Sequence, residues 1–167
     1  MWEEKFTFDT SSVGGVLDVV VDDYDMGSGN DFMGQISIPL TTLATRQEVR
    51  QWYELTEKDG KAPESDIGSV LLAVQWVHNP DKIAPIDIPI DLNNPKYECD
   101  DGDYAKDPNQ LCIYLIRAYD IKVMDTGLLS VLNKNAKGGS TDPLFEFELG
   151  EAEKLKSSVK KKNLNPE

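Results

Sequence analysis

Apolar and polar positions alternate with a period of two over most of the chain, which predicts short, half-buried β-strands. Lys5-Phe6-Thr7-Phe8-Asp9 places both aromatics on one face. Val16 to Val21 is a β-prone run that ends in an acidic cluster. Gly34 to Leu40 alternates again, and Gln51-Trp52-Tyr53-Glu54-Leu55 is a fourth expected strand. Ser69 to Val77 is apolar enough to lie centrally in a sheet. Turn signals at Ser12-Val13-Gly14-Gly15, Gly27-Ser28-Gly29-Asn30 and Lys58-Asp59-Gly60 separate these runs.

The texture changes after Val77. Residues 78–109 carry Pro80, Pro85, Pro89, Pro95 and Pro108 and an acidic stretch from Glu98 to Asp107. No period persists there, so the segment reads as a connector, longer than most loops inside one domain. β-pattern then resumes. Leu111 to Ile116 is nearly continuous in apolar residues, and Leu144-Phe145-Glu146-Phe147-Glu148-Leu149 alternates cleanly. Lys154 to Lys160 is polar and lysine-rich, as edge strands often are. Eight short strands and no helical period predict an all-β, antiparallel sandwich. Three segments follow: strands in 1–77, a connector in 78–109, and strands in 110–167.

Charge narrows the function. Asp plus Glu number 30 against 17 Lys plus Arg, a net charge of −13 in 167 residues. Nucleic acid is disfavoured as a partner, because its affinity comes mainly from neutralised phosphates. Cations are the natural counterparts. Cys99 and Cys112 form no metal-binding or redox motif, and His78 is the single histidine. Cys112 is expected to be a small core residue and His78 to sit at a strand end. The thiols suggest a reducing, cytoplasmic compartment. The first residues carry no leader-like apolar run, and no stretch reaches the length of a membrane span.

Candidate chemistry concentrates in Asp22-Asp23-Tyr24-Asp25-Met26-Gly27-Ser28-Gly29-Asn30-Asp31. Several carboxylates on one loop at a sheet end repel each other unless a cation or solvent relieves them. An all-oxygen set suits Ca²⁺, which accepts irregular geometry, better than Mg²⁺. A solvated acidic turn is the other reading of this loop taken alone.

Ala118-Tyr119-Asp120-Ile121-Lys122-Val123-Met124-Asp125, followed by Gly139-Ser140-Thr141-Asp142-Pro143-Leu144-Phe145, resembles the first calcium-binding loop of C2 domains. Asp23-Tyr24-Asp25, then Asn30-Asp31-Phe32-Met33-Gly34, resembles their third loop. Trp2 to Phe8, Trp52-Tyr53-Glu54-Leu55 and Gly68 to Leu72 are similar to further strands of the family. The resemblance covers nearly everything outside the connector, but its order is inverted. Residues 1–77 resemble the C-terminal half of a C2 sandwich and 110–167 the N-terminal half. Asn163-Leu164-Asn165-Pro166-Glu167 stands where the family's Asn-Pro turn precedes Trp2. The chain therefore resembles a piece of a tandem C2 protein, of ferlin or synaptotagmin-like type. A circular permutant is the alternative. Neither half can bury its sheet face alone, so closure within one chain or a domain-swapped homodimer is expected.

The resemblance implies Asp23, Asp25, Asp31, Asp125 and Asp142 as Ca²⁺ ligands. It implies a calcium-dependent module that binds an anionic phospholipid surface and moves from the cytoplasm to the membrane periphery when Ca²⁺ binds. A calcium-independent protein-interaction or scaffold module is the alternative. The segment 126–137 is an insertion relative to the family, and it brings Leu128, Leu129, Val131 and Leu132 near the loop tip. These four and Met26 are candidate membrane contacts. A short helix packed on the sandwich is the other reading of the insertion. Lys154, Lys156, Lys160, Lys161 and Lys162 form a candidate basic patch, or a solvated edge. An enzyme is not expected, because the sequence offers no nucleophile motif, paired histidine or phosphate loop.

Overall fold

The computed structural model describes residues 2–10, 14–27, 29–43, 47–58, 60–63, 66–79, 81, 109–122, 125–126 and 139–161, with 125–126 and 139–140 given by backbone alone. The strands are β1 (Glu4–Asp9), β2 (Val16–Asp23), β3 (Asp31–Pro39), β4 (Val49–Glu54), β5 (Ser69–Val77) and β6 (Gln110–Tyr119). The two-residue β7 (Asp125–Thr126) and β8 (Gly139–Ser140) come next, followed by β9 (Pro143–Leu149) and β10 (Leu155–Lys156). A 3-10 turn, Leu40–Leu43, follows β3 and buries both leucines. Among the described residues no helix is long and apolar enough to cross a membrane.

Two four-stranded antiparallel sheets form, ordered β1-β6-β5-β4 and β10-β9-β2-β3, with β7-β8 as a separate small pair. We refer to them as the first and second sheets. The expected all-β antiparallel sandwich is what the chain adopts. Alternation explains the second sheet. Leu17, Val19 and Val21 of β2 and Phe145, Phe147 and Leu149 of β9 point into the core. Asp18 pairs with Glu148 and Val20 with Glu146 on the outer face. Across the sandwich, β5 contributes Val70, Leu72, Val74 and Trp76, and β6 contributes Leu111, Ile113, Leu115 and Ala118. Trp2 packs edge-on against Phe145, centroids 4.9 Å apart, and Phe6 meets Phe147 at 4.5 Å. Such aromatic pairs add about 0.5–1.5 kcal/mol beyond area burial.

Strands from both sides of the connector share each sheet. β6 lies between β1 and β5, and β9 pairs with β2. Asn79 and Asn109 pin the connector's ends. The Asn79 amide donates to Asn109 Oδ1 at 2.7 Å, and Asn109 Nδ2 donates to the Asn79 carbonyl at 2.8 Å. Residues 80 and 82–108 lie outside the description. His78 directly follows β5, as expected of a strand-end residue, and Cys112 is buried.

Two strand bounds differ from expectation. β2 runs on through Asp22 and Asp23, because β9 continues to pair with it as far as Pro143. The partner strand's hydrogen bonds outweigh the weak strand preference of aspartate. At the other extreme, the lysine-rich 154–160 segment is strand only over Leu155–Lys156, which pair with Phe147 and Glu146.

Candidate functional site

The aspartates gather at one end of the second sheet. Asp23 is the last residue of β2 and pairs with Asp31, the first of β3, on one side and with Pro143 of β9 on the other. Asp23 is only 3% exposed. Its Oδ1 accepts a hydrogen bond from the Asp142 amide at 2.6 Å, and the Tyr24 amide donates to the Asp142 carbonyl at 3.0 Å. A bulge between Val21 and Asp22 twists the strand just before this cluster. Asp142 is thereby locked to Asp23 although 119 residues separate them.

Asp25 stands one residue beyond Tyr24, and its amide approaches Asn30 Oδ1 at 3.5 Å. Gly27 takes a φ of 100°, which only glycine adopts readily, and turns the loop back towards Asp31. Met26 at the tip is 93% exposed. Asp125 enters through the backbone: β7 pairs Asp125 with Ser140, two residues before Asp142. Thr141 between them is fully buried and donates to Met33 Sδ at 3.4 Å. The topology therefore brings Asp23, Asp31, Asp142 and the Asp125 backbone to one end of the sandwich, with Asp25 in the adjoining loop. The donors are all carboxylate oxygens, which is the chemistry of a hard divalent cation. Among the described residues, however, no three histidines, cysteines or carboxylates close up into a metal-sized group. Leu128, Leu129, Val131 and Leu132 lie outside the described residues.

Two lysines of the basic segment have acidic partners. Lys154 pairs with Glu148 and Lys156 with Glu146, both across the outer face of the second sheet. Glu148 holds the Lys154 ammonium above its usual pKa. Lys160 turns towards the Trp2 ring, its ammonium 5.8 Å from the centroid. Lys161 is exposed, and Lys162 is outside the description. Neighbouring Asp22 carries a raised pKa, because its burial disfavours the charged form and Glu146 adds repulsion.

Sequence reasoning did not anticipate two features of this end. The burial of Asp23 depends on a partner strand far along the chain. Asp120 adopts a φ of 52° at the end of β6, uncommon for a residue with a side chain. The short polar side chain of aspartate is the one local signal for it.

The C2 domain family model matches residues 1–55 and 109–167. The rat protein named Multiple C2 and transmembrane domain-containing protein 1 is 28% identical over 179 residues, covering 100% of this chain and 17% of its own length. Human Synaptotagmin-2 is 24% identical, covering 99% of this chain and 32% of its own. Synaptotagmin 1 of Drosophila melanogaster is 21% identical, with 99% and 28% covered. The chain thus spans a third or less of the length of these relatives. No solved structure matches. The two-sheet sandwich, the aspartates at one of its ends and the family match over residues 1–55 and 109–167 agree: the chain belongs to the C2 domain family and is a binding module rather than an enzyme.

Proposed function

We propose that the chain is a calcium-dependent phospholipid-binding C2 module of a membrane-trafficking or signalling protein. The observation that carries the reading is the convergence of Asp23, Asp31 and Asp142 on one sheet end, with Asp25 and the Asp125 backbone beside them. These five residues would hold Ca²⁺, which supplies positive charge and open coordination positions for phosphate oxygens. The chain's own part is electrostatic and steric. Asp23, fixed by the Asp142 amide, anchors the two loops to the sheet. Without cations the carboxylates repel an anionic surface, and neutralising them removes that barrier. The high exposure of Met26 at the tip supports a role for it in entering the lipid interface.

The relatives' names mention C2 domains, a transmembrane protein and synaptotagmins, which supports a role beside membranes. The inverted order of the two halves, 1–77 and 110–167 about a 78–109 connector, is part of the same proposal. Segments from the two halves meet beside β1: Trp2 Nε1 donates to the Ser158 carbonyl at 2.9 Å, and the Ser158 amide donates to Glu4 Oε2 at 2.9 Å. End-to-end alignment with a protein named for multiple C2 domains favours a span bridging consecutive repeats over a permutant.

Thermal unfolding in millimolar Ca²⁺, with Mg²⁺ as control, tests the ion. Saturation to 100 times Kd adds about 2.7 kcal/mol and raises Tm by several degrees. Asp25→Asn with Asp31→Asn should abolish the rise and the Ca²⁺-dependent co-sedimentation with phosphatidylserine vesicles, while leaving the ion-free Tm unlowered. An unchanged calcium response in the double variant overturns the ligand assignment. The second reading, a calcium-independent interaction module, draws on the absence of a closed three-carboxylate group among the described residues. It leads if Ca²⁺ shifts nothing.

A further inference from the structure

A second candidate site lies beside the outer face of the first sheet, at the end where β4 and β6 finish. A cleft of about 440 Å³ opens there, between the end of β4, the start of β5 and the end of β6. Trp52 and Tyr119 line it together with Glu54, Asp66 and Asp120, and Asp66 Oδ1 also accepts from the Gly68 amide at 2.9 Å. These two aromatics are 44% and 61% exposed, in a chain that buries Trp2 and Trp76 to 5% and 3%. The cleft is built into the backbone. Gly68 on its floor has a φ of 104°, and a Cβ there would lie 2.8 Å from the Asp120 carbonyl oxygen. The close approach of β5 to the end of β6 thus requires glycine.

A lining of aromatics and carboxylates is complementary to an organic cation. The Trp52 ring already attracts one: the Arg117 guanidinium stands 5.4 Å from its centroid. Carboxylate oxygens are hydrogen-bond acceptors, so they favour a cation that carries N–H donors over a quaternary ammonium, which carries none. The chain's net charge of −13 steers basic partners towards it. We propose that this cleft binds a lysine or arginine side chain from a basic segment of a protein partner. The site is independent of the calcium reading, since none of the five candidate ligands lines it.

The test titrates a blocked hexa-arginine peptide into the 167-residue chain in EDTA, following tryptophan emission and calorimetric heat. Trp52 is the reporter, because the other two tryptophans are buried. Tyr119→Ser and Glu54→Gln should each weaken binding about tenfold, and Glu151→Gln, which removes the same charge elsewhere, less than about twofold. Both test positions are exposed, and an unchanged Tm verifies the fold. Equal weakening by all three variants would reduce the effect to net charge and overturn the site. Emission changes with free choline or phosphatidylcholine vesicles but not with the peptide would overturn the peptide assignment. No emission change up to about millimolar peptide overturns it as well. Because EDTA removes calcium, a negative result here leaves the calcium reading untouched, and the converse holds.

Discussion

The two sheets solve the same burial problem differently. The second sheet hides one face. Along β2 and β9, large apolar side chains point inward and Asp18, Asp22, Glu146 and Glu148 stay on the outer side, where Lys154 and Lys156 pair with the two glutamates. The first sheet buries residues on both faces. Ala73 and Cys112 lie on its outer side yet are 0% and 2% exposed. Their outer neighbours are long side chains: Lys5 lies over Tyr114 and Arg117 over Trp52, each cation 5.4 Å from the ring centroid. Lysine and arginine stems cover apolar surface while their charges stay wet. Net acidity is therefore compatible with a sheet whose outer layer is covered in part by cation–aromatic pairs.

The sharpest way to break this contrast is to place one charge on each outer face. Ala73→Asp should destabilise the fold by roughly 2 kcal/mol or more, because the fully buried position desolvates the carboxylate even with Arg50 directly across on β4. Val20→Asp, on the outer side of β2, should cost less, about 1 kcal/mol, from lost packing and like-charge repulsion with Glu146. Urea unfolding of both variants measures the difference, and equal losses would mean that both outer faces are equally covered. A smaller effect is expected from the second sheet's ion pairs. A double-mutant cycle on Lys156 and Glu146 should give a coupling of about 0.2–1 kcal/mol that fades in high salt.

The smallest effect belongs to Tyr53, half-buried on β4. Burial raises its phenol above the ordinary value of 10.0, with Gln51 pulling it partly back. The folded chain keeps this proton longer than the unfolded chain does. Stability is therefore undiminished below the ordinary value and falls as pH climbs through the folded one. Tyr53→Phe should remove that alkaline slope in pH-dependent denaturation and leave neutral stability nearly unchanged.

Where local pattern and partner strands agree, the fold was legible. Ser69–Val77 is strand over the span its composition indicates, and the alternation of Phe145 and Phe147 against Glu146 and Glu148 names the inner face of β9 correctly. Where a distant partner decides, it was not. β2 carries strand geometry into its acidic end because β9 lies alongside, and the lysine-rich segment stays mostly out of the sheet because pairing there ends after two residues. The site divides the same way. The Asp23-Tyr24-Asp25 loop is visible as local composition, whereas the lock between Asp23 and the Asp142 amide depends on tertiary contact. The aromatic cleft was hidden for a similar reason, since Trp52 and Tyr119 come from strands separated by β5.

The position of β6 between β1 and β5 also concentrates the closure of the first sheet in one strand. Its pairing with β1 joins residues about a hundred positions apart in sequence, and non-local pairing of this kind folds slowly. A substitution that loosens Gln110–Tyr119 therefore opens two seams at once and bares two strand edges, which invite mispairing.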